Sequence, residues 1–172
     1  MLTADEKDYI SKIPVDKRAS IKPYTSSLHK TASQIIENVK TLCPDLNIVH
    51  MGASGLGISG QGDIDIYALT SPDDFNRYLT LIKQVLGKPV SKKIDSIAWE
   101  FTKNGHEVEF YLTDPNSKAM TRQIAVFEIL QSDPSLLKEY EDLKESLNGK
   151  SFREYQIKKY EFYHRILGNR FE

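Results

Sequence analysis

The stretch Ile48 to Leu69 constrains this chain more than any other. It reads as a short apolar strand (Ile48, Val49), a glycine-dense turn (Gly52, Gly55, Gly57, Gly60, Gly62) and a second strand with Asp63 and Asp65 at alternate positions. Residues i and i+2 of a strand share a face, ~7 Å apart along the rise. Two carboxylates held so close repel each other, and one shared divalent cation cancels the repulsion. Mg²⁺ takes oxygen ligands of this kind. Ile64 and Ile66 point the other way, as a central strand requires. The alternative reading is a solvated acidic face.

Gly55-Leu56-Gly57-Ile58-Ser59-Gly60 also contains the letters of a dinucleotide-binding fingerprint. That fingerprint needs its glycines to open a helix, and here the acid-bearing strand follows instead. A phosphate-binding P-loop is excluded as well, because no Gly-Lys-Ser/Thr follows.

A third acid comes from a hairpin. Ser96 to Lys103 and His106 to Leu112 flank Asn104-Gly105, the preferred pair for a two-residue type I′ turn. That loop sets Lys103 against His106, Thr102 against Glu107, Phe101 against Val108, Glu100 against Glu109 and Trp99 against Phe110. Trp99, Phe101, Val108 and Phe110 then share an apolar face, and Glu100, Glu107 and Glu109 share the other. Directly opposed glutamates destabilise a sheet unless solvent or a cation relieves them. Glu109, flanked by apolar residues, is the candidate third ligand, with Glu107 as the alternative.

The remaining chain reads as helical. Thr3-x-x-Glu6 is a capping box for a short N-terminal helix that Pro14 ends. Leu28, Ala32, Ile35, Val39 and Leu42 give one buried face from about Ser26. Ser71-Pro72-Asp73-Asp74 starts another helix, closed by Gly87. Three more helices follow at about 116–131, 134–148 and 152–167. The second of these carries Tyr140, Leu143 and Leu147 inward, and Ser151-x-x-Glu154 is a second capping box before the third. In that third helix Lys159 falls within an aromatic stripe of Phe152, Tyr155 and Phe162. It either snorkels along the stripe or aims a cation at a phosphate.

At 172 residues and a formal net charge of -1 the chain suits one domain, without a strong nucleic-acid or membrane-surface signal. The single Cys43 sits on an apolar helical face and is expected to pack in the core. No long apolar run suggests a membrane span, and the expected location is the cytoplasm. The expected organisation is a single domain over 1–172: an arm at 1–24, an α/β catalytic core at 25–114 and a helical part at 115–172.

Met51-Gly52 ahead of Asp63-Ile64-Asp65-Ile66, with a later acid between apolar residues, resembles the core of the polymerase-β-type nucleotidyltransferase superfamily. Within it the chain is most similar to GrpB-like proteins. The resemblance lies in His50-Met51-Gly52-Ala53-Ser54, Asp133-Pro134, Glu139-Tyr140-x-x-Leu143-Lys144 and Tyr155-x-x-x-Lys159. The resemblance implies an α+β fold with a mixed sheet flanked by helices and a helical C-terminal extension. It implies Mg²⁺, one or two ions, on Asp63, Asp65 and Glu109. It implies a nucleoside triphosphate held by Gly52, Ala53, Ser54, Tyr155 and Lys159, and an acceptor, small molecule or protein, that it does not name. Ala53 stands where the family has its second Gly or Ser, so Ser54 is the hydroxyl left to meet a phosphate. Phe127-Glu128 stands where Arg-Asp is common.

Overall fold

A computed structural model describes residues 2–168. Its centre is a five-stranded sheet in the order β1 (Asn47–Met51), β2 (Ile64–Leu69), β5 (His106–Thr113), β4 (Ser96–Lys103), β3 (Ser91–Lys92). β2 and β5 run parallel, and the other pairs are antiparallel. The hairpin register is the expected one, with Glu100 opposite Glu109 and Trp99 opposite Phe110. Asn104 turns the chain at φ 53°, the left-handed geometry a type I′ turn demands.

Alternation along the strands gives the sheet two unlike faces. Ile64, Ile66, Ala68, Val108, Phe110, Leu112, Ile97 and Trp99 are buried against α2 (Ser26–Lys40) and α4 (Phe75–Leu86). Trp99 meets Phe110 edge to face, and its indole N–H donates to the Gly87 carbonyl at 2.9 Å. Each of the larger aliphatic and aromatic side chains among them contributes about 1.5–3 kcal/mol on burial. Cys43 lies in this core at 1% exposure, as expected. The opposite face carries Asp65, Tyr67, Glu109 and Tyr111.

The acidic face is turned toward a helical layer of α5 (Lys118–Ser132), α6 (Pro134–Ser146) and α7 (Phe152–Leu167). Val126, Leu130, Tyr140, Phe162 and Leu167 form its own core, which Ile58 from the glycine segment enters. The Gln123 amide donates to the Tyr67 hydroxyl at 2.7 Å, tying α5 to the sheet.

The residues before α2 strap these layers together. α1 (Ala4–Lys12) has the expected capping box, with Thr3 and Glu6 each bonding the other's backbone N–H. After it, Ile13 and Ala19 are buried with Leu147, Phe152 and Tyr155. Ala19 and Lys150 exchange a backbone bond, and Lys22 pairs with Gly60 through two, at 2.7 and 3.0 Å. Ser151 caps α7 without a side-chain bond, so the second capping box does not form. Ser151 instead forms a backbone bridge with Arg18. Among the described residues no helix is long and apolar enough to cross a membrane.

Candidate active site

The glycine segment differs from the expected open turn. Gly52–Leu56 forms a short helix, α3, directly after β1, and the chain loops only from Gly57 to Asp63. Gly52 sits at φ 67°, and a Cβ built on it would overlap Asp65 Oδ2. The Asp65 carboxylate therefore lies against the bare backbone where β1 turns into α3. A side chain would both strain this backbone and displace the acid. The dinucleotide reading stays excluded, since α3 opens before Gly55 and a strand, not a helix, follows Gly60.

Asp65 and Glu109 are direct neighbours on the parallel strands β2 and β5, so their side chains share the open face. Asp63 lies just before β2, two residues from Asp65. Glu107, the alternative ligand, is exposed and lies before the part of β5 that pairs with β2. Burial pushes the Asp65 carboxyl up to about 7, and the charges of Asp63 and Glu109 push the same way. Glu109 Oε2 accepts the Tyr111 hydroxyl at 2.7 Å, and the Tyr111 ring stacks on Tyr67 with centroids 5.1 Å apart.

Two lysines oppose these acids. Lys159 on α7 stands over the Tyr163 ring at 5.6 Å. Its ammonium is held above the ordinary lysine range, by Tyr163 foremost and also by Tyr155 and Asp65. Lys144 on α6, 4% exposed, stands 5.0 Å from the centre of the Tyr140 ring. Burial pulls its ammonium down to about 7 and Lys159 adds to that, while Asp63 and Asp65 draw it back up. Lys144 was absent from the sites expected from sequence. The signal was present: 140, 143, 144 and 147 follow helical spacing, so an inward lysine sits on an apolar stripe.

Three expected nucleotide contacts read differently in three dimensions. The Ser54 hydroxyl is buried and bonds His50 Nε2 at 2.8 Å, so it is engaged elsewhere. Burial pulls the His50 imidazole down to about 4, and nearby His29 adds to this. Tyr155 is buried beneath the N-terminal arm, its ring stacked on Phe152. Ala53 packs with the helical core and also lines a cavity of about 310 Å³. That cavity is bounded by Gly52, Phe127, Lys159 and Tyr163, and on its outer side by Glu6 and Arg122.

The donor set, carboxylates with mutual repulsion at a half-buried Asp65, fits a hard divalent cation. Among the described residues, however, no three acids, histidines or cysteines stand close enough to share one metal ion.

Comparison with known proteins agrees with this architecture. The sequence profile described as GrpB protein matches residues 18–169. A UPF0157 protein of Vibrio cholerae serotype O1 is 25% identical over 144 residues, covering 76% of this chain and 70% of its own. Among solved structures, a chain of the GLD-2/RNP-8 complex superposes with a TM-score of 0.52 at 15% identity, covering 98% of this chain and 66% of its own. Cid1, whose structure is described as explaining an RNA terminal uridylyl transferase activity, aligns at a TM-score of 0.45 and 12% identity, over 79% of this chain. The chain spans about half, 45%, of the Cid1 chain. The mixed sheet flanked by helices is thus a fold shared with the matched chain of the GLD-2/RNP-8 complex.

Proposed function

The chain belongs to the GrpB protein family, and from that premise we propose that it is a metal-dependent nucleotidyltransferase, moving a nucleoside monophosphate from a nucleoside triphosphate to an acceptor hydroxyl. The observation that carries this reading is the pairing of Asp65 with Glu109 across β2 and β5, with Asp63 beside them and the buried Lys144 and half-buried Lys159 opposite. In the reaction the acceptor oxygen forms a bond to the α-phosphorus, the bond to pyrophosphate breaks, and the hydroxyl proton leaves to a carboxylate of the acidic face. Asp63, Asp65 and Glu109 would hold Mg²⁺, which when bound would offset phosphate charge and favour the leaving pyrophosphate. Lys144 and Lys159 hold phosphate oxygens as point charges. The bare backbone at Gly52 lets the phosphates come close to the acids. The lone thiol, Cys43, is buried and unpaired, and the proposed place of action is the cytoplasm.

Incubation with labelled nucleoside triphosphates, Mg²⁺ and pooled small-molecule or protein acceptors is expected to release pyrophosphate, and EDTA to stop it. A second reading, a nucleotide- or partner-binding module on the same fold, is favoured by Ser54, whose hydroxyl is already bonded to His50. Saturable nucleotide binding without pyrophosphate release under any acceptor pool would select that reading.

A further inference from the structure

α1 is held to the rest of the molecule by polar contacts at its two ends. None of its nine residues is fully buried. At its C-terminal end the Arg153 guanidinium donates to the carbonyls of Ser11 and Ile13, at 3.1 Å and 2.5 to 2.8 Å. At the other end Glu6 reaches into a cationic notch between α5 and α7. Its Oε2 is 2.8 Å from His164 Nε2, and Oε1 is 3.6 Å from Arg122 Nη2. Arg122 Nη2 lies 3.1 Å from His164 Nδ1. A guanidinium only donates, so Nδ1 accepts and Nε2 carries the hydrogen given to Glu6. The Glu6 side chain is 12% exposed, Arg122 18% and His164 23%.

This clasp closes over the cavity described above. The lining joins Thr3, Glu6 and Arg122 to Gly52 and Lys159 of the proposed active site, through apolar walls that include Phe127 and Tyr163. At about 310 Å³ the cavity falls at the small end of the range for small-molecule sites. Its walls suit an apolar or aromatic body. Its polar rim offers the Arg122 guanidinium to an anion, and the chain's own Glu6 carboxylate already sits there, with the His164 imidazole N–H just behind it.

We propose that Arg122 and His164 form the anion subsite of the acceptor pocket, and that Glu6 occupies it as an internal stand-in. The acceptor is then a small organic molecule with an apolar or aromatic body and a carboxylate or phosphate at one end. Its anion displaces Glu6 and frees α1, which stays attached through Arg153. This deepens the transferase reading and rests on it for the word acceptor.

The test uses phenyl phosphate, benzoate and the neutral benzyl alcohol as probes, by calorimetry on the full chain. Glu6→Gln keeps a capping-box residue but removes the competing charge. It is expected to bind the anionic probes ~10-fold or more tightly than wild type, as loss of a charge-assisted competitor implies. Benzyl alcohol should show no such gain, and adding Arg122→Met should abolish the gain. The preferred anion, phosphate or carboxylate, identifies the acceptor's charged end. In wild type, saturating anionic probe should speed hydrogen exchange of the amides of residues 4–12. Equal anion affinity in wild type and Glu6→Gln, or a gain shared by benzyl alcohol, overturns the proposal, as does unchanged exchange in α1. Such a failure leaves pyrophosphate release unaddressed, so it is distinguishable from failure of the transferase reading itself.

Discussion

Gly52 and Asp65 are one device. The positive φ at Gly52 and the carboxylate packed on it mean that any side chain there meets Asp65. Gly52→Ala is expected to cost about 1–2 kcal/mol from backbone strain alone. It should also weaken Mg²⁺-dependent nucleotide binding more than its stability loss explains, which denaturation and calorimetry on the same variant can separate. His50 makes a pH prediction. Its half-buried imidazole is neutral, pulled down to about 4 from 6.5, so between those values the unfolded chain binds a proton that the folded chain refuses. Stability linked to His50 is complete above pH 6.5 and is lost as pH falls toward 4, by at most about 3 kcal/mol. His50→Gln should lack this loss, so the stability difference between wild type and variant should shift against wild type over that window in urea titrations at stepped pH. A flat difference would show that His50 is not held neutral. From sequence, the shared face of Asp65 and Glu109 was legible because alternation in a strand fixes it, whereas Asp63 stands just before β2 rather than within it. The lock between Ser54 and His50 was not, because a short polar pair four residues apart carries no pattern of its own.

At the scale of elements, what could be read was whatever periodicity or turn chemistry determines. Asn104-Gly105 set the hairpin register, and the register placed Glu109 on the open side. Asn104 also donates to Thr31 Oγ1 at 3.1 Å and to Gln34 Oε1 at 3.2 Å, tying the hairpin tip to α2. Asn104→Ala is therefore expected to destabilise the fold by about 1–2 kcal/mol, from lost hydrogen bonds and an unfavourable positive φ, measured by urea denaturation. No change would mean that the turn does not depend on this side chain. α3 escaped notice because glycine is a poor helix former and five residues are too few for a periodic signal. The short edge strand β3 was missed for the second of these reasons. Lys144 was overlooked because a lysine on an inward stripe contradicts the expectation that helix lysines face water.

On the scale of the whole molecule, the proposed site belongs to no single layer. β2 and β5 supply the acids, α6 and α7 the lysines, and the glycine segment between them contributes Gly52 to the sheet side and Ile58 to the helical core. The N-terminal arm bridges both, through Lys22 to Gly60 and Ala19 to Lys150. These are backbone bonds, which leave no side-chain signature in the sequence. The most direct test of the assembled site is the affinity of the four α,β-methylene nucleoside triphosphates, titrated into wild type and Asp65→Asn with Mg²⁺ and with EDTA. The account predicts saturable, Mg²⁺-dependent binding of at least one of them by wild type and a loss of ~10-fold or more in a folded Asp65→Asn, the order expected when a charged ligand contact is removed. Equal affinity in the two proteins, or binding indifferent to Mg²⁺, would contradict it.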